Sequence, residues 1–137
     1  NSANASDTNQ FLFQPFKRIK KQNEFKFVYE RQCKVRDPNL IVYGAENQFD
    51  HPRLGLSVSK RVGNAVVRNK WTRIIREAFR LAQHQLPNID IIVIPKFEAS
   101  PDLIAIRKSL RRLARRVSKK VLKLDSLDPK ESKDQKQ

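Results

Sequence analysis

The stretch RLGLSVSKRVGNAVVRNKWTRIIREAFR, residues 53–80, decides the fold of this chain. Residues 54–58 (LGLSV) alternate apolar with small or polar side chains, which is typical of a half-buried strand. A turn around Gly63 follows, and the triplet Arg68-Asn69-Lys70 then begins a helical pattern. A strand, a Gly-Asn turn and a cation-rich helix in this order predict a rigid platform for binding phosphate.

The second half of this stretch predicts a helix over residues 65–85. At about 100° per residue, one side of the helix is apolar and the opposite side carries cations, so the helix would pack on a sheet and expose a basic face. Pro87 would end it. The apolar side holds Val67, Trp71, Ile74, Ile75, Ala78, Phe79 and Ala82, and the basic side holds Asn69, Arg73, Arg76 and Arg80, with Arg68 at its edge.

Upstream, the pattern predicts a helix followed by two strands. Phe25, Val28 and Tyr29 lie at i, i+3 and i+4, which favours a short helix over residues 19–32. Residues 39–45 (NLIVYGA) follow an Asp-Pro turn and predict a strand, and residues 53–59 predict the next one.

Downstream, residues 89–94 (IDIIVI) are mostly apolar, as in a strand at the centre of a sheet. Ser100 and Pro101 predict a helix N-cap with proline at the first helical position. The final helix would bury residues at three-to-four spacing and carry cations on its other faces. Its buried set is Leu103, Ile106, Leu110, Leu113, Val117 and Val121.

The charge narrows the class of partner. In 137 residues, 29 Lys and Arg stand against 14 Asp and Glu, a formal net charge of +15. Repulsion among so many positive charges destabilises the folded state, and proteins that carry such a charge usually bind a polyanion. Nucleic acid is therefore the leading partner, with an anionic membrane surface second.

The length predicts one domain. No stretch approaches 18 apolar residues, and the start (NSANASDTNQ) lacks the basic and apolar regions of a signal peptide. The single cysteine, Cys33, excludes an internal disulfide and fits a reducing compartment. These features predict a cytoplasmic protein that does not associate with membranes.

Candidate catalytic residues are few. His51 lies beside a turn proline and His84 near a helix end, and no acid is spaced to orient either of them. Cys33 has cationic neighbours, but no His or second Cys is near it in sequence, which favours an incidental thiol. No metal-ligand spacing, paired carboxylates or Walker glycine loop is present. The sequence therefore predicts no catalytic residue and no metal site in this chain.

Three segments favour nucleic-acid binding, and each has a plainer alternative. The arginines on the basic face of the helix at 65–85 could bind phosphates through bidentate hydrogen bonds, or this face could be a solvated surface. Phe25 and Tyr29, one turn apart among lysines, could stack on unpaired bases, or they could be core. The cations of the final helix favour a solvated face that only adds long-range attraction.

The residues from Arg53 to Arg80 resemble the signature of the bacterial ribonuclease P protein subunit. That pattern runs Arg-x-Gly-x-x-Val-x-Lys, then Gly-x-Ala-Val-x-Arg-Asn, then a basic run ending in Arg-Glu-x-Phe-Arg. The similarity covers about residues 16–118, including RIKKQNEFKFVY at 18–29. The matching positions are Arg53, Gly55, Val58, Lys60, Gly63, Ala65, Val66, Arg68, Asn69, Arg73, Arg76, Glu77, Phe79 and Arg80.

The resemblance implies an α/β fold, specifically an α+β two-layer sandwich of αβββαβα order with a central mixed sheet, like domain 2 of ribosomal protein S5. It also implies a left-handed βαβ crossover, although right-handed crossovers are the strong default. The implied domain spans residues 16–124, between a flexible N-terminal arm at 1–15 and a disordered polar tail at 125–137.

The activity that the resemblance implies is endonucleolytic removal of the 5′ leader from precursor tRNA. The catalytic centre is expected in the RNA subunit, which would bind most of the Mg²⁺, and no organic cofactor is expected. The implied partners are ribonuclease P RNA and precursor tRNA, with no membrane and no DNA. A stand-alone RNA-binding or ribosome-associated protein is the alternative, and a protein-only nuclease would need catalytic groups that the sequence lacks.

Positions that match the family carry its expected binding roles. The residues expected to bind RNA are Lys60, Asn64, Arg68, Asn69, Lys70, Arg73, Arg76 and Arg80. The residues expected to line a leader-binding cleft are Phe25, Tyr29 and Tyr43. This chain departs from the usual pattern at four places. Lys70 replaces an Arg, Thr72 replaces a Lys, Gln32 replaces a Gly after the first helix, and Pro95-Lys96 replaces Ala-Arg.

Overall fold

The computed structural model describes residues 16–126, and the side chains within them as far as Lys123. The arm expected at 1–15 and most of the tail expected at 125–137 lie outside the described residues. In chain order the elements are β1 (Lys17–Arg18), α1 (Gln22–Arg31), β2 (Cys33–Arg36), β3 (Leu40–Glu46), β4 (Arg53–Leu56), α2 (Ala65–Ala82), β5 (Ile89–Pro95) and α3 (Leu103–Ser126). Apart from the short β1, this is the expected αβββαβα order.

The five strands form one mixed sheet of order β1-β4-β5-β3-β2. β2 and β3 are antiparallel, β3 and β5 are antiparallel, and β4 runs parallel to both β5 and β1. Helix α2 therefore connects two parallel neighbours, β4 and β5, as a βαβ unit. β5 is the central strand, which explains the nearly continuous apolar character of its sequence.

Strand alternation divides the apolar residues between the two faces of the sheet. The larger core lies under α2 and α3, where Val42 and Ile91 of the sheet meet Phe79 of α2 and Leu113 of α3. A smaller cluster on the opposite face joins Val28 of α1 to Ala45, Ile92 and the buried Ile19. Helix α1 thus covers part of the face that α2 and α3 leave free.

Several element bounds differ from the sequence prediction, including two helix starts, and one position predicted as buried is exposed. Helix α1 begins at Gln22 rather than at residue 19, because Ile19 lies in extended chain and hydrogen-bonds through its N–H to the Leu54 carbonyl at 2.9 Å. Helix α3 begins two residues later than predicted. Its N-cap is Asp102, whose carboxylate accepts from the Ala105 N–H at 2.9 Å, so the assignment of Ser100 as cap was wrong. Leu103, predicted as buried, is 39% exposed because it lies in the first turn of α3.

Two short strands were not recognised from their own residues. β2 has four residues, with Cys33 and Val35 buried against α3 and the alternate cations Lys34 and Arg36 exposed. β1 has two exposed residues, and it is a strand only because its backbone pairs with β4.

Gln32 holds a position that favours glycine. It has φ 59° and ψ 21°, in the left-handed region, and its N–H donates to the Tyr29 carbonyl at 3.2 Å to close helix α1. The C-cap geometry that the resemblance implied is thus retained by a residue that adopts it at some conformational cost.

The turn before α2 is built for a sharp change of direction. After a 3₁₀ turn at Lys60–Val62, Gly63 has φ 147°, and a Cβ there would lie 2.8 Å from the Val67 Cβ. Asn64 is the N-cap of α2, and its side-chain oxygen accepts from the Val67 N–H at 3.1 Å. This turn fixes where the first residues of α2 point.

Within residues 16–126, none of the helices combines the length and the apolar character that a membrane span requires.

Candidate nucleic-acid interface

Helix α2 presents the two-sided arrangement that its sequence predicts. The predicted apolar side is buried at Trp71, Ile74, Ile75, Ala78, Phe79 and Ala82, and Val67 is partly buried against the same core. On the predicted basic side, Asn69 and Arg73 are exposed, whereas Arg76 and Arg80 are half-buried. The cations are thus held on a helix whose other side is fixed in the core.

Three arginines of α2 have a nitrogen donor that no other residue in the described part of the chain accepts from. The Nε atoms of Arg68, Arg76 and Arg80 are buried and have no hydrogen-bond acceptor among the described residues. A buried donor without an acceptor costs about 1–3 kcal/mol. An acceptor for these groups would have to come from outside the described chain, and phosphate oxygens are acceptors that suit guanidinium groups.

A cavity of about 390 Å³ lies along this side of α2, and the residues that line it are Asn69, Thr72, Arg73, Arg76, Glu77 and Arg80. Thr72 donates its hydroxyl to the Arg68 carbonyl at 3.0 Å, so it contributes a small helix-bonded side chain where a lysine would add a cation. Glu77 pairs with Arg80. Arg73 and Arg76 therefore supply the unpaired positive charge of this cavity.

A second cavity, of about 330 Å³, continues from the first toward α1. It is lined by Arg18, Ile19, Lys20, Phe25, Leu54, Leu56 and Arg76. Arg76 lines both cavities and so joins the basic side of α2 to Phe25 of α1. Burial lowers the pKa of Arg76, and the nearby positive charge of Arg18 lowers it further. Two cations facing one cavity favour an anion between them.

The three aromatic residues of the expected cleft lie together on one face of the sheet. Phe25 packs so closely over Gly55 that a Cβ on Gly55 would lie 2.9 Å from its ring. Tyr29 and Tyr43 contact edge to face, with ring centroids 4.9 Å apart, and Lys34 lies 5.6 Å from the Tyr43 ring centre. Burial raises the pKa of Tyr29. All three rings are partly buried in the small cluster under α1, so they are at once part of the core and part of the surface.

Other expected site residues lie outside these two cavities. Lys60 and Asn64 are exposed at the turn before α2, where the Asn64 oxygen is used for capping. Lys70 is exposed on α2 and lines neither cavity. Arg68 is half-buried one turn before Thr72. The structure thus gathers Asn69, Arg73, Arg76 and Arg80 at one cavity and joins Arg76 to Phe25 at the other, whereas the remaining expected RNA-binding residues line neither cavity.

An ion-pair network that the sequence did not reveal fixes helix α1 to the sheet. The Arg53 guanidinium donates to both oxygens of Asp90 at 2.8 and 2.6 Å, and to Glu24 of α1 at 3.0 Å. Asp90 also accepts from the Asn47 amide at 2.7 Å, and the Phe49 ring lies 4.4 Å from the Arg53 guanidinium carbon. This network joins α1, β4 and β5.

The charges in the network stabilise one another. Hydrogen bonds from the Lys21 backbone N–H and then from the Arg53 side chain lower the pKa of Glu24. The bonds to Asp90, and then those to Glu24, raise the pKa of Arg53 although its burial opposes this. One sequence signal could have revealed the network, because Asp90 is a lone acid in an otherwise apolar central strand and therefore needs a buried cation.

The candidate catalytic residues remain apart. His51 is half-buried and stacks on Phe49 with ring centroids 5.4 Å apart, His84 is exposed, and Cys33 is buried in the core under α3. Within residues 16–126 there is no group of three or more His, Cys, Asp or Glu side chains that could hold a metal ion.

Comparison with known proteins gives a consistent result. The family model described as Ribonuclease P matches residues 13–122. The ribonuclease P protein component of Serratia proteamaculans is 39% identical over 101 residues, which cover 72% of this chain and 85% of that protein. The protein of the same name from Aliivibrio fischeri is 42% identical over 83 residues, covering 60% of this chain and 71% of that protein.

Solved structures show the same fold. The ribonuclease P protein of Staphylococcus aureus superimposes with a TM-score of 0.65 at 37% identity, covering 74% of this chain and 94% of that one. The ribonuclease P protein of Thermotoga maritima, solved with 1-(4-fluorophenyl)-2-thiourea, gives a TM-score of 0.67 at 30% identity, covering 72% of this chain and 98% of that one.

Proposed function

Because the chain belongs to the ribonuclease P protein family, we propose that it binds ribonuclease P RNA and the 5′ leader of precursor tRNA during endonucleolytic removal of that leader. One observation carries the proposal. Arg76 joins the cavity along the basic side of α2 to the cavity beside Phe25, so that a phosphate-binding surface continues into an aromatic one.

The two parts of this surface suit different parts of an RNA complex. The α2 cations can bind phosphates of folded RNA, where backbone contacts position the protein without reading sequence. The partly exposed rings of Phe25, Tyr29 and Tyr43 suit a single-stranded leader, because each unpaired base offers a face for stacking. Helix α1 carries two of these rings, so the Arg53 network would position them relative to the α2 cations.

Catalysis is assigned to the RNA subunit. Among the described residues no group of three or more His, Cys, Asp or Glu side chains could hold a metal ion, and the contact of His51 with Asp50, at 3.9 Å, is too long for a hydrogen bond. We assign Mg²⁺ mainly to the RNA, where the ion would act as a Lewis acid on the attacking water and the leaving oxygen. The protein would raise activity by holding the RNA fold and the leader in place.

Leader binding would also discriminate substrate from product. Mature tRNA lacks the leader, so it can make the phosphate contacts of the RNA complex but none of the contacts with the aromatic rings. The protein would therefore raise the affinity for precursor tRNA more than the affinity for mature tRNA.

Reconstitution tests this function. The protein is mixed with a bacterial ribonuclease P RNA at low Mg²⁺, and release of the leader from precursor tRNA is measured, with RNA alone and protein alone as controls. We expect stimulated cleavage with both components present. Cleavage by the protein alone would refute the assignment of catalysis to RNA, and no stimulation would favour a stand-alone RNA-binding or ribosome-associated protein.

Contact between α2 and phosphate has its own test. Replacing Arg73 with Ala should make the slope of log K against log salt about one unit shallower for binding to the RNA, because about one counterion is released per neutralised phosphate. An unchanged slope would show that Arg73 does not contact phosphate.

A further inference from the structure

A groove runs between helices α2 and α3, on the opposite face of the sheet from the Phe25–Tyr29–Tyr43 cluster. Two adjoining cavities, of about 390 and 560 Å³, form it and share Ala82, Gln85 and Arg111. Its apolar lining combines the small side chains of Ala78, Ala82 and Ala114 with larger ones, which are Leu81, Leu86, Ile104 and Leu122. No Phe, Tyr or Trp side chain lines either cavity.

Cations line the α3 side of this groove. Arg107, Arg111, Arg115 and Lys119 line it at four-residue intervals, with Lys108 beside them. Residues four apart lie on one helix face at steps of about 6 Å along the axis, so the row extends for about 18 Å. No acidic residue lines either cavity.

The cations on the neighbouring side of α3 are engaged differently. Arg112 pairs with Asp37 at 2.8 Å, and Lys120 donates to the Lys34 carbonyl at 2.9 Å. None of the cations that line the groove forms an ion pair with a carboxylate among the described side chains. Among the described residues, the cations on one side of α3 thus contribute to the fold, whereas the cations that line the groove have no carboxylate partner.

We propose that this groove, lined by Arg107, Arg111, Arg115 and Lys119, binds the sugar–phosphate backbone of the RNA subunit as a second RNA contact. The inference rests on the proposed function. A row of cations without acids matches the regular negative charge of an RNA strand, and arginine can bind phosphate through two nitrogens. No Phe, Tyr or Trp lines the groove and His84 is its one ring, so phosphate contacts rather than base stacking would dominate, and binding here would depend little on base sequence.

This second contact is separate from the cluster of Phe25, Tyr29 and Tyr43, which we call the leader surface. The groove lies between α2 and α3, whereas the leader surface lies under α1 on the other face of the sheet. A protein with RNA on both sides bridges two segments of the RNA complex rather than resting on one. The long α3 helix would then be a binding element, not only a source of long-range attraction.

A pair of matched variants tests the proposal. R115Q/K119Q removes two cations that line the groove, and R116Q/K120Q removes the same residue types one position along the same helix, where neither side chain lines the groove. Both variants lose the same formal charge, and the folding of each is checked by circular dichroism and thermal unfolding. Affinity for ribonuclease P RNA is measured over a range of salt concentrations, together with hydroxyl-radical footprinting of the RNA.

We expect R115Q/K119Q to make the salt slope about two units shallower and to expose an RNA segment that the wild-type protein protects, whereas R116Q/K120Q keeps both near wild type. Preference for precursor over mature tRNA should stay unchanged in R115Q/K119Q, because the leader surface is intact. Equal changes in both variants would show that the groove cations act only through the net charge of α3, and would overturn the proposal.

An unchanged slope and footprint in R115Q/K119Q would also overturn it, and would leave the groove to a protein partner. If the wild-type protein binds and activates the RNA, those outcomes refute only the second contact. If the wild-type protein does not bind the RNA at all, the proposed function fails, and the second contact fails with it.

Discussion

Replacing Arg53 with Met tests the ion-pair network that fixes helix α1 to the sheet. Methionine keeps an unbranched apolar stem but removes the charge, which leaves the Asp90 carboxylate without its cation. The Asp90 side chain is 4% exposed and the Arg53 side chain 11% exposed, so water cannot readily replace the lost partner. Removing one partner of a buried ion pair costs about 3–5 kcal/mol, because the other charge stays buried without compensation.

Unfolding in urea measures this cost. Trp71 is the one tryptophan of the chain and is buried in the core, so its fluorescence reports loss of the fold. The expected loss in unfolding free energy corresponds to a fall of at least about 10 °C in melting temperature for a domain of this size. Arg36→Met is the matched control, because Arg36 is exposed on a strand, and it should change stability by less than about 0.5 kcal/mol.

A double-mutant cycle separates the ion pair from general damage. D90N removes the buried charge, so R53M should cost less in the D90N background than in the wild-type protein, with a coupling energy of about 1–3 kcal/mol. If R53M costs no more than the Arg36 control, or if the two substitutions are additive, then the network does not hold α1 in place and the reasoning is refuted.

Three further predictions concern the turn, the acid range and the leader surface. Gly63→Ala should lower the unfolding free energy by about 1–3 kcal/mol, because φ is 147° at this residue and the new Cβ would lie 2.8 Å from the Val67 Cβ. An unchanged midpoint of urea unfolding would contradict this prediction. The folded state lowers the pKa of Glu24 below its ordinary 4.5, so its contribution to stability is complete above that pH and is lost as the pH falls below it. Glu24→Gln should therefore weaken the fall in stability between pH 5 and pH 3, and parallel profiles for both proteins would disprove the assignment. Tyr29→Ala should reduce affinity for precursor tRNA in the assembled enzyme by about 1–3 kcal/mol, and an equal loss for mature tRNA would attribute the effect to packing.

Strong periodicity explains what could be predicted from the sequence. The helical spacing in residues 65–85 identified the buried and basic sides of α2 correctly, because a long amphipathic helix repeats its signal over several turns. The four residues of β2 give too short a signal, and β1 exists only through pairing with β4. The error at Leu103 arose because three-to-four spacing continues into a first turn that projects beyond the core.

The candidate site was predictable as a set of residue types but not as a surface. Local sequence identified the α2 cations and the aromatic residues separately. Arg76 meets Phe25 only because α1, β4 and α2 line the same cavity, and that is a property of the tertiary fold. The groove between α2 and α3 was equally hidden, since the pattern of α3 shows its cations without showing which of them the protein itself engages.

The two edge strands also affect how the protein meets other copies of itself. An exposed sheet edge is a template on which strands of other molecules can add, and this leads to aggregation. Here one edge strand has two residues and the other four, and each presents two exposed cations, Lys17 and Arg18 on β1 and Lys34 and Arg36 on β2. Two approaching copies would bring like charges together along any shared edge. The cations on β1 and β2 therefore disfavour edge-to-edge pairing between copies of this protein.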